Sequence, residues 1–427
     1  MVISDFQPIS GLGWIDFSAE DKDKVMRVIA LLKEEGTVDE LGIGVIRNAL
    51  SDEMFNGITT IQTRAKYFFI VPRIIQSFIN QKKRDTSLLR YLHKEETRIM
   101  NELTWALEDP ERQGIIGYTV ALQNKNRPQR QWREVERKPS AIYWNGIRTF
   151  GICNTQYSFQ NFLSAIEQKE DRKDRLGYVA LDDESKDDWD AEVESKFYFH
   201  LPDYDPYWDT NLSVDLTEDE GNFLRHKIID TQKGQLIALV LEKKEMIRQF
   251  LDAKSFEEMS EMPFVSTLPE ITQITIYIAR DFWRILYGAH IRYNVILHQI
   301  QKNEKRITEF EEKWAGWLEE MNKFKKNTFN REFMWELVLS RSRVKTYTKR
   351  FVNEWIDEIF TSDPQENLLD EMIIGQERFN KGKRSKLSLQ HDVRYSGWVG
   401  IGSMDFRFSN AQKIIHDIAK STKLIND

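Results

Sequence analysis

The segment 270–301, EITQITIYIARDFWRILYGAHIRYNVILHQIQ, has the longest regular apolar period in this chain. Its apolar side chains recur every three to four positions and define one face: Ile274, Ile278, Phe282, Ile285, Leu286, Ala289, Ile296 and Ile300. That spacing matches an α-helix, which has about 3.6 residues per turn. We therefore predict one long helix here, in a protein that is helical around it.

The composition of the whole chain also favours helices over strands. The 427 residues are 41% hydrophobic and 12% aromatic, which is enough apolar material for real cores and excludes disorder throughout. Glycine (20) and proline (10) are both scarce, and a protein with many tight hairpins needs both. The predicted fold class is mainly α, a multi-helix protein with minor β elements.

Capping patterns and apolar periods place the other helices. Thr59 and Gln62 form a capping box that is predicted to open a helix over 60–80, with a kink or break at Pro72. Further helices are predicted at 18–32, 37–50, 87–108, 217–228, 235–251, 302–324, 332–359 and 410–418. Glycine-rich and β-branched pieces predict short strands or turns at 114–120, 141–144 and 149–152, and a small strand contribution over 395–408.

An acidic segment divides the chain. Between Ser164 and Ser195 lie 12 acidic and 5 basic residues, so this segment carries the whole net charge of −7. An acidic pI therefore says little against nucleic-acid binding elsewhere. We predict an N-terminal helical module with a small β or turn part at 1–163, an acidic linker or insertion at 164–196, and a C-terminal helical region at 197–427. The acidic segment is either a solvated tether, which is favoured, or an autoinhibitor that occupies a basic groove.

The cysteine count and the apolar runs bear on the compartment. The single cysteine, Cys153, excludes an internal disulfide and a cysteine-based zinc cage, and it fits a reducing compartment. The first residues show no basic region followed by an apolar run, and no stretch approaches the roughly 20 apolar residues of a membrane span. We expect a cytoplasmic protein without membrane association.

The sequence contains no P-loop, no dinucleotide-binding glycine pattern and no nucleophile elbow. The nuclease-like run Glu242-Lys243-Lys244 lies among residues that favour helix over strand, and we interpret it as a chance match. His200, Asp203 and Asp205 are suited to a divalent metal, but ordinary loop hydrogen bonding explains them better. We assign no catalytic residue, metal or cofactor, and the sequence favours a protein that is not an enzyme.

Basic residues concentrate in three stretches. The first surrounds Trp132, whose flat ring offers a stacking face, and contains Lys125, Arg127, Arg130, Arg133, Arg137 and Lys138. The second contains Arg378, Lys381, Lys383, Arg384, Lys386 and Arg394, and the third contains Arg341, Arg343, Lys345, Lys349 and Arg350. We predict that the three stretches converge into one positive face that binds DNA by releasing counterions. The alternative is that each stretch is an ordinary solvated surface.

The helices predicted at 37–50 and 60–79 have the spacing of a helix-turn-helix. Gln62 and Arg64 lie near the start of the second helix, where a recognition helix exposes polar residues to base edges. That helix is apolar over most of its circumference, however, which is typical of a buried helix. We therefore favour a structural role for Arg64, with Asp39 or Glu40 as its predicted partner, over DNA recognition.

Five short motifs carry a resemblance to a known family. They are Gly13–Phe17 (GWIDF), Asp39–Gly44 (DELGIG), Thr60–Ala65 (TIQTRA), Pro139-Ser140 with Tyr143-Trp144, and Asp405-x-Arg407. Together they resemble a bacterial family known as domain of unknown function 6361. The resemblance implies a component of a multi-gene anti-phage defence locus, encoded near helicases and phospholipase-D-like nucleases.

The first hypothesis for function is accordingly a non-catalytic subunit of such a system. It would bind DNA through its basic faces, or scaffold a helicase or nuclease subunit, or do both. The alternatives are a divergent metal-dependent nuclease and a protein that only binds other proteins.

Overall fold

The computed structural model describes residues 38–81, 85–177, 199–202, 207–324, 329–388 and 395–425. Within these ranges every regular element is a helix, so the protein is mainly α, as the sequence predicts. The helix predicted at 18–32, the GWIDF motif and the acidic segment from residue 178 onward lie outside the described residues.

The α-helices of the described ranges are numbered here in chain order. They are α1 (Gly44–Phe55), α2 (Tyr67–Ile79), α3 (Leu88–Trp105), α4 (Tyr118–Asn124), α5 (Pro139–Thr149), α6 (Phe159–Gly177), α7 (Glu218–Thr231), α8 (Leu236–Glu242), α9 (Lys244–Asp252), α10 (Phe256–Glu261), α11 (Glu270–Ile300), α12 (Glu304–Phe324), α13 (Arg331–Arg341), α14 (Thr346–Ile359), α15 (Glu366–Lys381) and α16 (Phe408–Ser421). Short 3₁₀ helices occupy Gln129–Gln131, Pro263–Thr267 and Gly382–Arg384.

No strand forms at 114–120 or 141–144. Residues 114–117 lie in a turn region, which was one of the two predicted alternatives, whereas 118–120 belong to α4 and 141–144 to α5. Pro139 stands in the first turn of α5, where its missing N–H costs no hydrogen bond. The apolar residues Ile142 and Ile147 are buried on this helix. Their β-branched side chains therefore indicate buried positions and not an extended strand. The described residues of 149–152 and 395–408 contain no strand either.

Helix α2 begins later than predicted and is almost wholly buried. It starts at Tyr67, and the capping pair Thr59 and Gln62 closes a preceding turn, with the Thr59 amide donating to Gln62 Oε1 at 3.1 Å. The helix continues through Pro72, so no break occurs there. A helix buried on all sides cannot present a recognition face, which removes the structural basis of the helix-turn-helix interpretation.

The chain folds as two compact units, each assembled from separate parts of the sequence. The first unit comprises the described residues of Met1–Gly44, Arg284–Thr328 and Val344–Met404. The second comprises the described residues of Val45–Trp283, Phe329–Arg343 and Asp405–Asp427. In the second unit α2 packs on α3 and α5, and α16 packs on α7 and α9. The domain limits predicted near 163 and 197 stay a prediction.

Tryptophans form the centre of the first unit. Trp314 and Trp317 of α12 stack with ring centroids 4.9 Å apart, and Trp355 of α14 lies 6.3 Å from Trp317. Gly288 makes room for them, because a Cβ at this position would lie 2.4 Å from the Trp317 ring. These contacts fix α12 and α14 against the second half of α11.

Helix α11 confirms the prediction made for 270–301, since it runs over Glu270–Ile300. Its last part differs from the predicted single apolar face, because residues 291–298 are all buried. The buried Asn294 satisfies its amide by exchanging two hydrogen bonds of 2.8 Å with the backbone of Val399. A backbone segment thus covers the polar side of this helix within the first unit.

Candidate nucleic-acid interface

Two helices of the first unit form a hairpin that brings distant basic stretches together. Helices α14 and α15 pack on each other across the short connection at 360–365. Tyr347, at the start of α14, stacks on Phe379, near the end of α15, so the two helices run in opposite directions. Because of this pairing, the basic residues around 345–350 lie beside those around 378–384.

A stacked aromatic pair, half-buried Tyr347 and exposed Phe379, lies at the open end of this hairpin. The rings of Tyr347 and Phe379 are 5.7 Å apart and inclined by 21°. Phe379 is 59% exposed, so part of its ring is accessible to a ligand. Lys345 Nζ lies 5.4 Å from the Tyr347 ring, and the Arg350 guanidinium lies 5.9 Å from the Phe379 ring. Both distances are typical of cation–π contacts.

The cations around the aromatic pair are largely uncompensated. Arg378, Lys383 and Arg384 are exposed and form no ion pair with any carboxylate in the part of the chain that the structure describes. Arg350 pairs with Glu354 at 4.0 Å, and both side chains are more than half exposed. We call this surface the hairpin patch; it consists of Lys345, Tyr347, Arg350, Arg378, Phe379, Lys383 and Arg384.

Two lysines of the second basic stretch pair with a buried carboxylate. Lys386 Nζ lies 2.6 Å and Lys381 Nζ 3.2 Å from the carboxylate of Glu40, which is buried. Asn380 also donates at 3.0 Å to the backbone carbonyls of Asp39 and Glu40. These contacts attach the DELGIG segment to α15, so Lys381 and Lys386 compensate a buried charge and lie outside the hairpin patch.

The turn that presents Lys383 and Arg384 is held by one buried carboxylate. Glu377 accepts hydrogen bonds from the Tyr293 hydroxyl at 2.8 Å and from the Lys386 and Leu387 amides at 2.7 and 3.0 Å. Gly382 opens the turn at φ +56°, a value that L-residues with side chains rarely adopt. Rigid support of this kind lowers the entropy lost when a ligand binds.

The first basic stretch lies in the second unit as a separate, ordered loop. Asn124 fixes it by exchanging hydrogen bonds of 2.9 and 2.8 Å with the backbone of Arg133. Trp132 donates its indole N–H to the Arg127 carbonyl at 3.1 Å and meets Trp105 edge to face at 5.5 Å. Trp132 therefore anchors the loop, and stacking of a base on its ring stays a prediction.

Charge in this loop is partly compensated. Lys138 pairs with Glu134 at 2.7 Å. No described carboxylate forms an ion pair with the other cations, which are Lys125, Arg127, Arg130, Arg133 and Arg137. We call these five residues the loop cluster. The convergence of all three basic stretches stays a prediction, because the hairpin patch and the loop cluster belong to different units.

The third basic stretch is divided between the units. Lys345, Lys349 and Arg350 belong to the first unit, and Arg341 and Arg343 to the second. Arg341 Nε lies 2.6 Å from Glu53, so its charge is compensated there.

Arg64 is a structural residue, but its predicted partners are wrong. Its Nε lies 2.9 Å from Asp417 and its Nη2 lies 2.6 Å from Asp215. Only 13% of its side chain is exposed, and Gln62 beside it is fully buried. The carboxylate of Glu40, one of the two predicted partners, forms ion pairs with two lysines instead. Both residues predicted for a recognition helix therefore join packed elements and do not line an open surface.

The enzyme alternatives find no new support in the described residues. Glu242 ends helix α8, and Asp203 and Asp205 lie outside the described residues. No group of described His, Cys, Asp and Glu side chains has an arrangement that could hold a metal ion. Burial raises the pKa of the Cys153 thiol to about 12 and lowers the pKa of His290 to about 3, so neither is suited to acid–base or nucleophilic work near neutral pH.

The aromatic pair of the hairpin patch was missed from sequence. The available signal was an aromatic residue within two positions of a cation in each of two stretches, at 345–347 and 378–379. Neither pair is informative alone, because the stacking partner lies 32 positions further along the chain.

Comparison with known proteins places the chain in one family. No helix among the described residues is both long enough and apolar enough to cross a lipid bilayer. No curated protein and no solved structure matches the chain. A model described as a family of unknown function (DUF6361) matches residues 9–422, and the chain therefore belongs to that family.

Proposed function

We propose that this protein binds single-stranded nucleic acid through the hairpin patch. The observation that carries the proposal is the Tyr347–Phe379 stack, in which Phe379 is exposed and a cation lies 5.4 Å from the Tyr347 ring and another 5.9 Å from the Phe379 ring. Proteins that hold single strands combine aromatic platforms with a positively charged track for the phosphates. The hairpin patch supplies both elements on one surface.

The two components act on different parts of the strand. A base that stacks on an exposed aromatic ring contributes about 1–3 kcal/mol. Each phosphate contact releases counterions, which makes the affinity fall as the salt concentration rises. The first turn of α14 adds backbone N–H groups, since its N-cap residue Lys345 makes no side-chain cap and no acidic residue stands in that turn.

The helix dipole favours one cation of the hairpin patch and disfavours another. Arg378 lies in the last turn of α15, where a cation is stabilised by the helix dipole. Lys345 lies at the opposite, N-terminal end of α14, where a cation is disfavoured. The helix dipole therefore does not account for a cation at this position, which supports a role in binding an anion.

We propose further that the protein acts as a non-catalytic subunit of a multi-gene bacterial anti-phage defence system. The family resemblance supports this setting. In it the hairpin patch holds a strand while a helicase or nuclease subunit performs the chemistry. The loop cluster, being uncompensated, provides a second contact for the same polyanion or for the partner.

The direct test is a binding titration with a fluorescent single strand of about 20 nucleotides. Lys383→Glu combined with Arg384→Glu should lower the affinity at least about tenfold at moderate salt, because two phosphate contacts become repulsive. Lys243→Glu with Lys244→Glu is the matched control, since these two exposed cations lie in the second unit. Equal affinities for all three proteins would contradict the proposal.

A further inference from the structure

The loop that carries the loop cluster runs along helix α3. It begins beside Asn101, whose side-chain oxygen accepts a hydrogen bond of 3.2 Å from Asn124. Further along the loop, Glu134 lies 3.9 Å from His93, which is about two helical turns nearer the start of α3. The cations of the loop are therefore distributed along this helix.

Helix α3 adds two cations to this row. Arg90 and Lys94 are exposed and four positions apart, so they lie on the same face of the helix. Neither forms an ion pair with a carboxylate in the ranges that the structure describes. The hydrogen bond from Lys138 lowers the pKa of Glu134, and the charges of His93 and Arg90 add to this effect, which places Arg90 near the loop. We call the loop cluster together with Arg90 and Lys94 the basic track.

Repulsion among the cations of the loop acts against the fold. Between residues 125 and 138 the chain has six cations and two carboxylates, and one of the carboxylates, Glu134, already pairs with Lys138. Charges of one sign at close spacing destabilise a compact state, and a bound polyanion relieves this repulsion.

The loop is nevertheless held in one conformation. Asn124 and Trp132 both donate hydrogen bonds to its backbone carbonyls. Val135 is buried, and Gly117 makes room for it, because a Cβ at Gly117 would lie 2.4 Å from the Val135 side chain. Cations on a backbone that is already ordered lose less entropy on binding, and they suit a partner whose charges also have fixed positions.

The basic track differs in its chemistry from the hairpin patch. Trp132, the aromatic residue of the loop, is half-buried and packs edge to face on Trp105. Cations are therefore the main exposed groups, and four of the five in the loop cluster are arginines, whose guanidinium groups bind phosphate through two parallel hydrogen bonds. Binding of this kind favours the polyanion with the higher charge density. A duplex carries one charge for about every 1.7 Å of its axis, and it releases more counterions per phosphate than a single strand does.

We propose that the basic track binds the phosphate backbone of duplex nucleic acid without reading its bases. From Asn101 to Arg90 helix α3 rises by about 16 Å. That length corresponds to about five consecutive phosphates of one strand of a duplex, at about 3.4 Å along the axis for each. The inference goes beyond the proposed function, since it concerns another surface and another form of nucleic acid.

The test is a titration of the protein with a fluorescent duplex of mixed sequence and about 20 base pairs. Replacing Arg90, Lys94, Lys125 and Arg130 together with alanine should lower the affinity at least about tenfold at low salt. The slope of log affinity against log salt concentration should become less negative by about 3, because each lost phosphate contact changes it by about 0.9. The loss should be larger for the duplex than for a single strand of the same sequence. All four side chains are exposed, so the melting temperature should not change.

Two control variants separate the basic track from the other cations. Replacing Lys233, Lys243, Lys244 and Lys254 with alanine removes the same number of exposed charges from the same unit, and it should leave affinity and slope unchanged. Lys383→Glu with Arg384→Glu should weaken single-strand binding and leave duplex binding unchanged. Duplex DNA and duplex RNA are titrated separately, because both carry the same phosphates. A loss for either one in the basic-track variant supports the proposal and identifies the source.

The possible outcomes distinguish this inference from the proposed function. Absence of duplex binding by the wild type at low salt overturns the inference and leaves the single-strand proposal standing. Binding to vesicles rich in phosphatidylserine, and to neither duplex, overturns it in favour of a membrane surface. Equal losses in the two alanine variants, or a loss no larger for the duplex than for the single strand, also overturn it. Duplex binding without single-strand binding overturns the proposed function alone.

Discussion

Arg64 and Asp417 are 353 positions apart in the chain, and their side chains form an ion pair of 2.9 Å. The same carboxylate accepts the Ala65 backbone N–H at 2.8 Å. These contacts join the TIQTRA segment before α2 to the last helix, α16. The pair is well shielded, since 4% of the Asp417 side chain and 13% of the Arg64 side chain are exposed.

Replacing Asp417 with alanine should therefore destabilise the protein strongly. The change leaves the Arg64 Nε–H and the Ala65 backbone N–H without their acceptor, which typically costs about 1–3 kcal/mol for each group, while Asp215 still pairs with the Arg64 guanidinium. Urea unfolding followed by circular dichroism measures the free energy of unfolding. Lys423→Ala is the control: its exposed pair with Glu218 should contribute nothing measurable. Similar midpoints for the two variants would show that the buried pair is not important.

Glu96 should make stability depend on pH. Burial raises its pKa from 4.5 to about 7, although its Oε1 accepts the Ser140 N–H. Because the folded-state pKa lies above the unfolded one, this contribution is complete below pH 4.5 and is lost as the pH rises through 7. Glu96→Gln should remove this pH dependence of stability. Its free energy of unfolding should exceed that of the wild type by a margin that grows from pH 4.5 to pH 8 and reaches about 3 kcal/mol. Parallel stability curves for the two proteins would refute this account.

Asn294 should be one of the least replaceable residues of the first unit. Asn294→Ala leaves the Val399 N–H and C=O without their partners, which are each 2.8 Å away. Two buried orphan groups cost about 2–4 kcal/mol together. Gln299→Ala, on the exposed side of the same helix, is the matched control and should change little. A loss for Asn294→Ala no larger than that control would count against the role of this contact.

The loop cluster should contribute to binding independently of the hairpin patch. Lys125→Glu with Arg130→Glu reverses two exposed charges without touching the hydrogen bonds of Asn124 or Trp132. We expect a lower affinity for single strands, by about threefold or more, at low salt. Unchanged affinity, with an unchanged melting temperature, would assign the loop cluster to another partner.

Local periodicity was enough to predict the long helices α3, α11 and α12, because a long apolar stripe has few competing explanations. The segment 270–301 is the clearest case, and α11 covers it almost completely. The helices predicted at 235–251 and 332–359 each divide into two. The predicted strand at 141–144 failed because burial, and not sheet pairing, selects Ile142 and its aromatic neighbours in α5. Propensity alone does not separate these two causes.

The site was predicted only in part, because the ion-pair and stacking partners of its residues lie far away in the sequence. Arg64 was expected to pair nearby and instead reaches Asp417. Glu40 pairs with Lys381 and Lys386, which lie about 340 positions away, so the charges of these two lysines are compensated. The Tyr347–Phe379 stack likewise follows only from the α14–α15 hairpin. Single-sequence reasoning located the charges but not the carboxylates that compensate them.

The salt dependence of single-strand binding tests the central claim most directly. For single strands, the slope of log affinity against log salt concentration is about −0.7 for each phosphate neutralised. Replacing Lys345, Lys383 and Arg384 together with alanine should make the slope less negative by about 2 and weaken binding at every salt concentration. Wild-type slope and affinity in this variant, with an unchanged melting temperature, would show that the hairpin patch does not hold the strand.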